Sequence, residues 1–448
     1  DEVAAGIIDP HIGADYADLI LIGNLYDTLI WVKSLDMVPH LAESYNISSD
    51  GKTYTFKLKN GVKFHNGDVM TSADVLFSFN RSLDIGLGYS YLFNTLVDSM
   101  SAPDDSTFVI NTNSAAATFL GSMTRVPIVN KRGCLENKQD GDFGDNGDYC
   151  QAYLKTNDLG TGAYQIVSHN EMELTVMEKF NDHFLPFDPK APDEGRMRYS
   201  LDAPTLRALL ENGEHHTSSM WFPYEFYAAI DKIDGLSAIQ QNQLGTYVGK
   251  INTKRAPTDN LDLRKAIIHA IDYDAIGKIL YVNDTVAGGV PSKGPIPPGM
   301  LGYDESRPFF KQDLALAKKY LEASGYDAAT APEIELTALT CCATHQKMAY
   351  VTQSSLEAIG IKTRIVDTEW VDQIAMFSKP ETTHNISYIA HSLTSPDVDS
   401  LMREIWHTNS TANGWSATEW LMDPEVDALL DAGRAELDSA VRAKHYAA

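Results

Sequence analysis

Positive charge is scarce in this chain of 448 residues: 36 Lys and Arg stand against 61 Asp and Glu, a net charge of −25. Such a surface repels phosphate backbones and anionic headgroups, so neither nucleic acid nor anionic lipid is expected as a partner, and the charge reads as a solubility feature. Long hydrophobic runs are missing, since no stretch approaches the ~20 apolar residues of a membrane span. The opening DEVAAGIIDPH has neither a basic region nor an apolar core, so an export signal is expected to have been removed or left out. There is no internal repeat, heptad run or low-complexity tract. G-x-S-x-G, H-E-x-x-H and P-loop patterns are also absent, and no enzyme is expected.

Cysteine is sparse, with four residues in two local pairs. Cys134 and Cys150 flank an acidic, Gly-rich loop, and a disulfide closing a loop of about 15 residues would contribute ~3 kcal/mol in the chain-entropy model. Cys341 and Cys342 are adjacent, which leaves a strained vicinal disulfide or two thiols. No spacing resembles a zinc pattern. DGDFGDNGD, residues 140–148, has carboxylates at Ca²⁺-like density but not the EF-hand order, and reads as a solvated loop. His215 and His216 are adjacent, so on a strand they would face opposite ways, and no shared metal site is expected there. Neither metal nor cofactor is expected elsewhere.

What is present is most informative between Leu41 and Arg81, LAESYNISSDGKTYTFKLKNGVKFHNGDVMTSADVLFSFNR. Asp50-Gly51, Asn60-Gly61 and Asn66-Gly67 are tight-turn dipeptides. From Thr53 to Leu58, Tyr54, Phe56 and Leu58 alternate with polar residues, the pattern of a half-buried strand. Ser72 is the expected N-cap of a helix with Val75, Leu76 and Phe79 on its apolar stripe. Ala266, Ile267, Ala270 and Ile271 mark an amphipathic helix within 260–272. Residues 313–327, 354–366 and 422–433 predict further helices, the first two closed by Gly325 and Gly360, with a strand following Gly360 in the second. A length of 448 residues at 44% hydrophobic content calls for two or three domains.

The 41–81 segment resembles the signature of the extracytoplasmic solute-binding proteins of peptide- and nickel-type ABC importers. Tyr45 stands where that signature has Trp, and Asn66 where it has Asp. IDPH at 8–11, LYDTL at 25–29, LGTGAY at 159–164, ALLENGE at 208–214, GKINT at 249–253, NLDLRKAIIHAID at 260–272 and MDPEVDALLDAG at 422–433 extend the resemblance along the chain. It implies an α/β fold of the type II periplasmic binding protein class, with two hinge-linked lobes and an extra subdomain. Lobe I would comprise 1–32 and 159–252, the extra subdomain 33–158, and lobe II 253–448, with a further return to lobe I beyond Ala448. A strand is expected after the 208–214 helix, with His216 in place of the family's Asp.

The same resemblance implies a receptor that captures a small solute in the interlobe cleft by hinge closure. A peptide-like ligand is expected, with an oligosaccharide as the alternative. Its partners would be an ABC permease and ATPase, its state monomeric, and its location periplasmic or extracytoplasmic, with a lipid anchor on a residue outside this sequence as an option. Candidate ligand contacts are Trp221 in TSSMWFP, Tyr89 and Tyr91 in GYSYLF, Cys341 and Cys342 at a strand end, His391 and Ser392 in SYIAHSLTSPDVDSL, and Trp415. In peptide binders of the family an Asp four residues before the loop's Pro holds the ligand's α-ammonium. Ser392 occupies that position here, with Asp397 or Asp399 as substitutes if the alignment slips.

Overall fold

The structure is a computed structural model that describes residues 6–33, 36–241, 244–327, 329–411 and 416–448. The chain divides into two compact units, Asp1–Leu201 and Asp202–Ala448. Among the described residues no helix is long and apolar enough to cross a membrane.

In the first unit, Asp15 caps the helix Tyr16–Leu25, and β1 (Ile30–Lys33) pairs antiparallel with β2 (Asp36–Pro39). β3 (Ala42–Ile47), β4 (Thr53–Leu58), β5 (Val97–Asp104) and β6 (Thr107–Thr112) form an antiparallel sheet in the order β3-β4-β6-β5. β4 has the bounds that its alternation predicts, and Tyr54, Phe56 and Leu58 are its buried residues. They pack with Phe64, Phe79, Phe108 and Phe119 in one core.

The helix following the turns is Ser72–Ile85, and its N-cap is Thr71, not Ser72. The Asp74 carboxylate accepts from the Thr71 backbone N–H at 2.8 Å, completing a reciprocal capping box that Ser72 has no acidic partner to form. β7 (Tyr164–Asn170), β8 (Leu174–Lys179) and β9 (Glu194–Arg198) make a third sheet in sequential order.

The 41–81 segment, IDPH, LYDTL and LGTGAY meet inside this unit. Arg81, fully buried, places two guanidinium nitrogens on the Asp9 carboxylate at 2.8 and 2.6 Å and donates a third bond to the Tyr149 carbonyl at 2.9 Å. A paired, bidentate arrangement is what makes such a burial tolerable. His65 bridges Asp158 and the Gly162 carbonyl, tying the signature's turn to LGTGAY. A Cβ on Gly160 would lie 1.9 Å from the Leu25 carbonyl oxygen, so only glycine lets these backbones meet. Cys134 and Cys150 form the disulfide. Both are buried in a core with Ile22, Leu25 and Tyr149, so the bridge fastens the acidic loop to packed structure.

The second unit is built on β10 (Thr246–Ile251), β11 (Ile334–Leu339), β12 (Thr363–Thr368) and β13 (Ile386–His391), ordered β10-β13-β11-β12. β11 runs parallel to β12 and β13, and β10 antiparallel to β13. Leu263, Ala266 and Ile267 of the helix Leu261–Ala270 pack with Leu336, Leu356 and Tyr388. A separate cluster joins the helices Val398–Trp406, Pro424–Ala435 and Ser439–Ala447 through Leu401, Ile405, Leu430 and Tyr446.

One expected element is missing. After the helix Ala203–Glu211 the chain does not form a strand: Gly213 turns it at φ +71°, and His215 and His216 lie in irregular backbone.

Candidate functional site

Three parallel strands of the second unit end on one edge of its sheet, where α/β folds gather ligands. β11 ends into Thr340, Cys341 and Cys342, β12 into Glu369, and β13 at His391 with Ser392 following; Thr246 at the start of β10 pairs with His391. The fold thus brings Cys341, Cys342, His391 and Ser392 to the same end of adjacent strands. Ser392 is exposed and His391 buried. The Cys341 and Cys342 sulfurs are 3.0 Å apart and are not joined by a disulfide. Beside them, a groove of about 510 Å³ is lined by Thr340, Thr368, Glu369, Asp372 and Met376. Its acidic rim was not singled out by any sequence motif.

Trp221 belongs to the same unit and is half-buried, while its neighbour Phe222 takes the core position. The helix that follows, Tyr224–Ile230, fixes this loop. Tyr224 and Tyr247 hydroxyls meet at 3.1 Å, Glu225 pairs with Lys347, and the Phe222 N–H donates to the Tyr227 hydroxyl at 3.1 Å. Tyr247 in turn packs edge-on against His345 at 5.7 Å between ring centroids. Both His345 and Lys347 lie on the helix Ala343–Glu357, whose N-cap position is Cys342.

Tyr89 and Tyr91 belong to the first unit, with ring centroids 6.3 Å apart. Tyr89 donates to the Ala14 carbonyl at 3.2 Å and carries the Arg125 guanidinium 4.8 Å above its ring. Tyr91 is more exposed, at 54%. Trp415 lies outside the described residues.

Neither Asp397 nor Asp399 is available to stand in for the family's ammonium-binding carboxylate. Asp397 caps the helix Val398–Trp406 and receives Arg442 in a bidentate pair at 2.7 and 2.6 Å. Asp399 is fully buried and accepts from Arg434 and the Tyr446 hydroxyl, both at 2.9 Å. Both carboxylates considered as substitutes in the sequence thus have partners within the second unit.

Sequence reasoning also passed over a buried charge cluster on β10. Lys250 of β10 lies 3.6 Å from Glu419, and both are buried. Glu404 accepts from Ser416 at 3.2 Å and adds a second carboxylate close enough to act on Lys250. Burial raises the Glu404 and Glu419 carboxyls, the former to about 7, and lowers the Lys250 ammonium. Burial, then the charge of Lys250, holds the His391 imidazole well below its ordinary value and therefore neutral at pH 7. The one sequence signal was a lysine two residues after Val248, on the inward face of an alternating strand.

The fold is that of the type II binding proteins. It matches a dipeptide binding protein from Pseudoalteromonas sp. SM9913 in complex with Met-Leu, with a TM-score of 0.80 at 23% identity, over 99% of this chain and 89% of that one. The description "Bacterial extracellular solute-binding proteins, family 5 Middle" matches residues 36–413, and the chain belongs to that family. Among curated relatives it is similar to the glutathione-binding protein GsiB of Pectobacterium atrosepticum, 26% identical over 94% of this chain and 79% of the relative. It is also similar to the heme-binding protein A of Haemophilus influenzae, 28% identical over 94% and 78%.

Proposed function

We propose that the chain is the substrate-binding component of an ABC importer, taking up a di- or oligopeptide or a peptide-like solute outside the cytoplasm and passing it to a permease driven by its ATPase. The observation that carries this reading is the family match over residues 36–413. The relatives' ligands, glutathione and Met-Leu among them, support the peptide class over an oligosaccharide.

In this reading lobe I is built from 1–32 with the chain from 159, the extra subdomain is 33–158, and lobe II is 253–448 together with β10, all six residues of which pair with β13. The lobes close on the solute, and the receptor works as a monomer. Cys341, Cys342, His391 and Ser392 supply the strand-end contacts, and Trp221, Tyr89, Tyr91 and Trp415 supply aromatic surface. With Ser392 where a carboxylate is expected, and with Asp397 and Asp399 engaged by arginines and Tyr446, the ligand's amino terminus is not anchored by this loop.

The test is a thermal-shift and calorimetric screen of di- to pentapeptides, glutathione, hemin and oligosaccharides. Saturable binding of peptides with a rise in Tm is expected. Trp221→Ala should weaken that binding by about 1 kcal/mol or more, and N-acetylation of the peptide should change affinity less than tenfold. Binding of oligosaccharides alone would overturn the ligand class. A loss of a hundredfold or more on acetylation would overturn the account of the amino terminus.

A further inference from the structure

The Cys341–Cys342 pair has a geometry the binding role does not require. Its two sulfurs approach to 3.0 Å, about 1 Å beyond an S–S bond, and both residues are half-buried, within reach of a small reagent. Cys342 is the N-cap of the 15-residue helix Ala343–Glu357, where the backbone N–H groups of the first turn face outward and favour an anion. Three residues on, in the first turn of the helix, His345 is buried at 4% exposure with neither ring nitrogen hydrogen-bonded. Burial lowers its pKa to about 4, so its imidazole is neutral. Tyr247 lies near both: its ring packs on His345, and its hydroxyl, pushed up by burial and by Tyr224, is close enough to Cys342 to interact with it electrostatically.

We propose that Cys341 and Cys342 form a redox-active vicinal dithiol that undergoes thiol–disulfide exchange with small-molecule disulfides. One thiolate attacks a disulfide R–S–S–R, forming a mixed disulfide and expelling RS⁻, which takes up the proton the thiol gave. The neighbouring thiol then attacks the protein sulfur of the mixed disulfide, closing Cys341–S–S–Cys342 and releasing the second RSH. Two protein thiols are oxidised and one disulfide is reduced to two thiols, so atoms and electrons balance. Closure replaces two S–H groups with one apolar ring at the strand-end edge. The pair buried in the other unit, Cys134–Cys150, is already bonded and serves as an internal reference.

The experiment treats the native chain with oxidised glutathione, quenches with an alkylating agent, and reads intact mass and the peptide spanning 341–342. The expected result is loss of both alkylatable thiols, a mass lower by two hydrogens, no retained glutathione and release of two glutathione molecules per chain. Dithiothreitol should then restore the two thiols. Cys341→Ser and Cys342→Ser each lack the resolving thiol and should stop at one retained glutathionyl group. A wild-type chain that keeps glutathione on either cysteine, or keeps two alkylatable thiols after treatment, overturns the proposal. The wild-type readout does not depend on how the variants fold. It also does not depend on the ligand, so it can fail while the importer reading stands.

Discussion

Asp27 shows how one side chain can hold several segments together. Its carboxylate accepts from His40 at 2.7 Å and from the Thr161 hydroxyl at 2.8 Å, and His183 lies 3.7 Å away. Burial opposes its charge, but His183 and His40 outweigh it and hold the carboxyl at about 2. A folded pKa below the unfolded one gives stability that is present above pH ~4 and lost as pH falls toward 2. Asp27→Asn should cost about 2–3 kcal/mol at pH 7 and flatten the acid limb, read from urea unfolding at pH 7 and pH 3.

Glu404 works with the opposite sign. Its carboxyl is raised by burial from 4.5 to about 7, so its contribution is fully present below pH 4.5 and is lost as pH rises through 7. Glu404→Gln should therefore remove part of the fall in stability between pH 5 and 7. An unchanged slope in that window would show that the carboxylate is already ionised.

Among elements, the helix Ser72–Ile85 rests on its first turn. Thr71 and Asp74 cap each other, and the other Asp74 oxygen accepts from the Lys131 N–H at 2.9 Å. Thr71→Ala should cost about 1 kcal/mol, and Asp74→Ala more, because it also removes the acceptor of a part-buried backbone donor in a second segment. Equal losses in denaturant midpoints would refute that ranking. The T-x-x-D spacing that identifies Thr71 was present in the sequence, where Ser72 was preferred for its place beside the first apolar residue. β4 and the helix Leu261–Ala270 were readable because one side faces a core and the other solvent, so the pattern alone sets their faces. The strand expected at His215 was not, since nothing in its alternation required pairing. Lys250 escaped notice because its partners, Glu404 and Glu419, lie more than 150 residues away in the chain.

For the whole molecule, a net charge of −25 repels itself in the folded state. Raising NaCl from 20 mM to about 500 mM shortens the screening length severalfold and should raise the Tm. A fall would mean that attractive pairs such as Arg81–Asp9 and Arg442–Asp397 respond to salt more than the general repulsion does.

Family and fold class were within reach because the 41–81 segment resembles a long and specific family signature, and the disulfide because its two cysteines flank one local loop. The 41–81 segment turned out to be a set of internal joints, with His65 and Arg81 seated on residues of IDPH and LGTGAY. Which carboxylates remain available to a ligand was not local information. Asp397 and Asp399 look like candidates in the chain and are spoken for by arginines and a tyrosine some 35–47 residues further on. Likewise, only the parallel pairing of β11 with β12 and β13 puts Cys341, Cys342, His391 and Ser392 along one edge. A side chain's chemistry is set by its type, but its availability is set by what the rest of the chain packs against it.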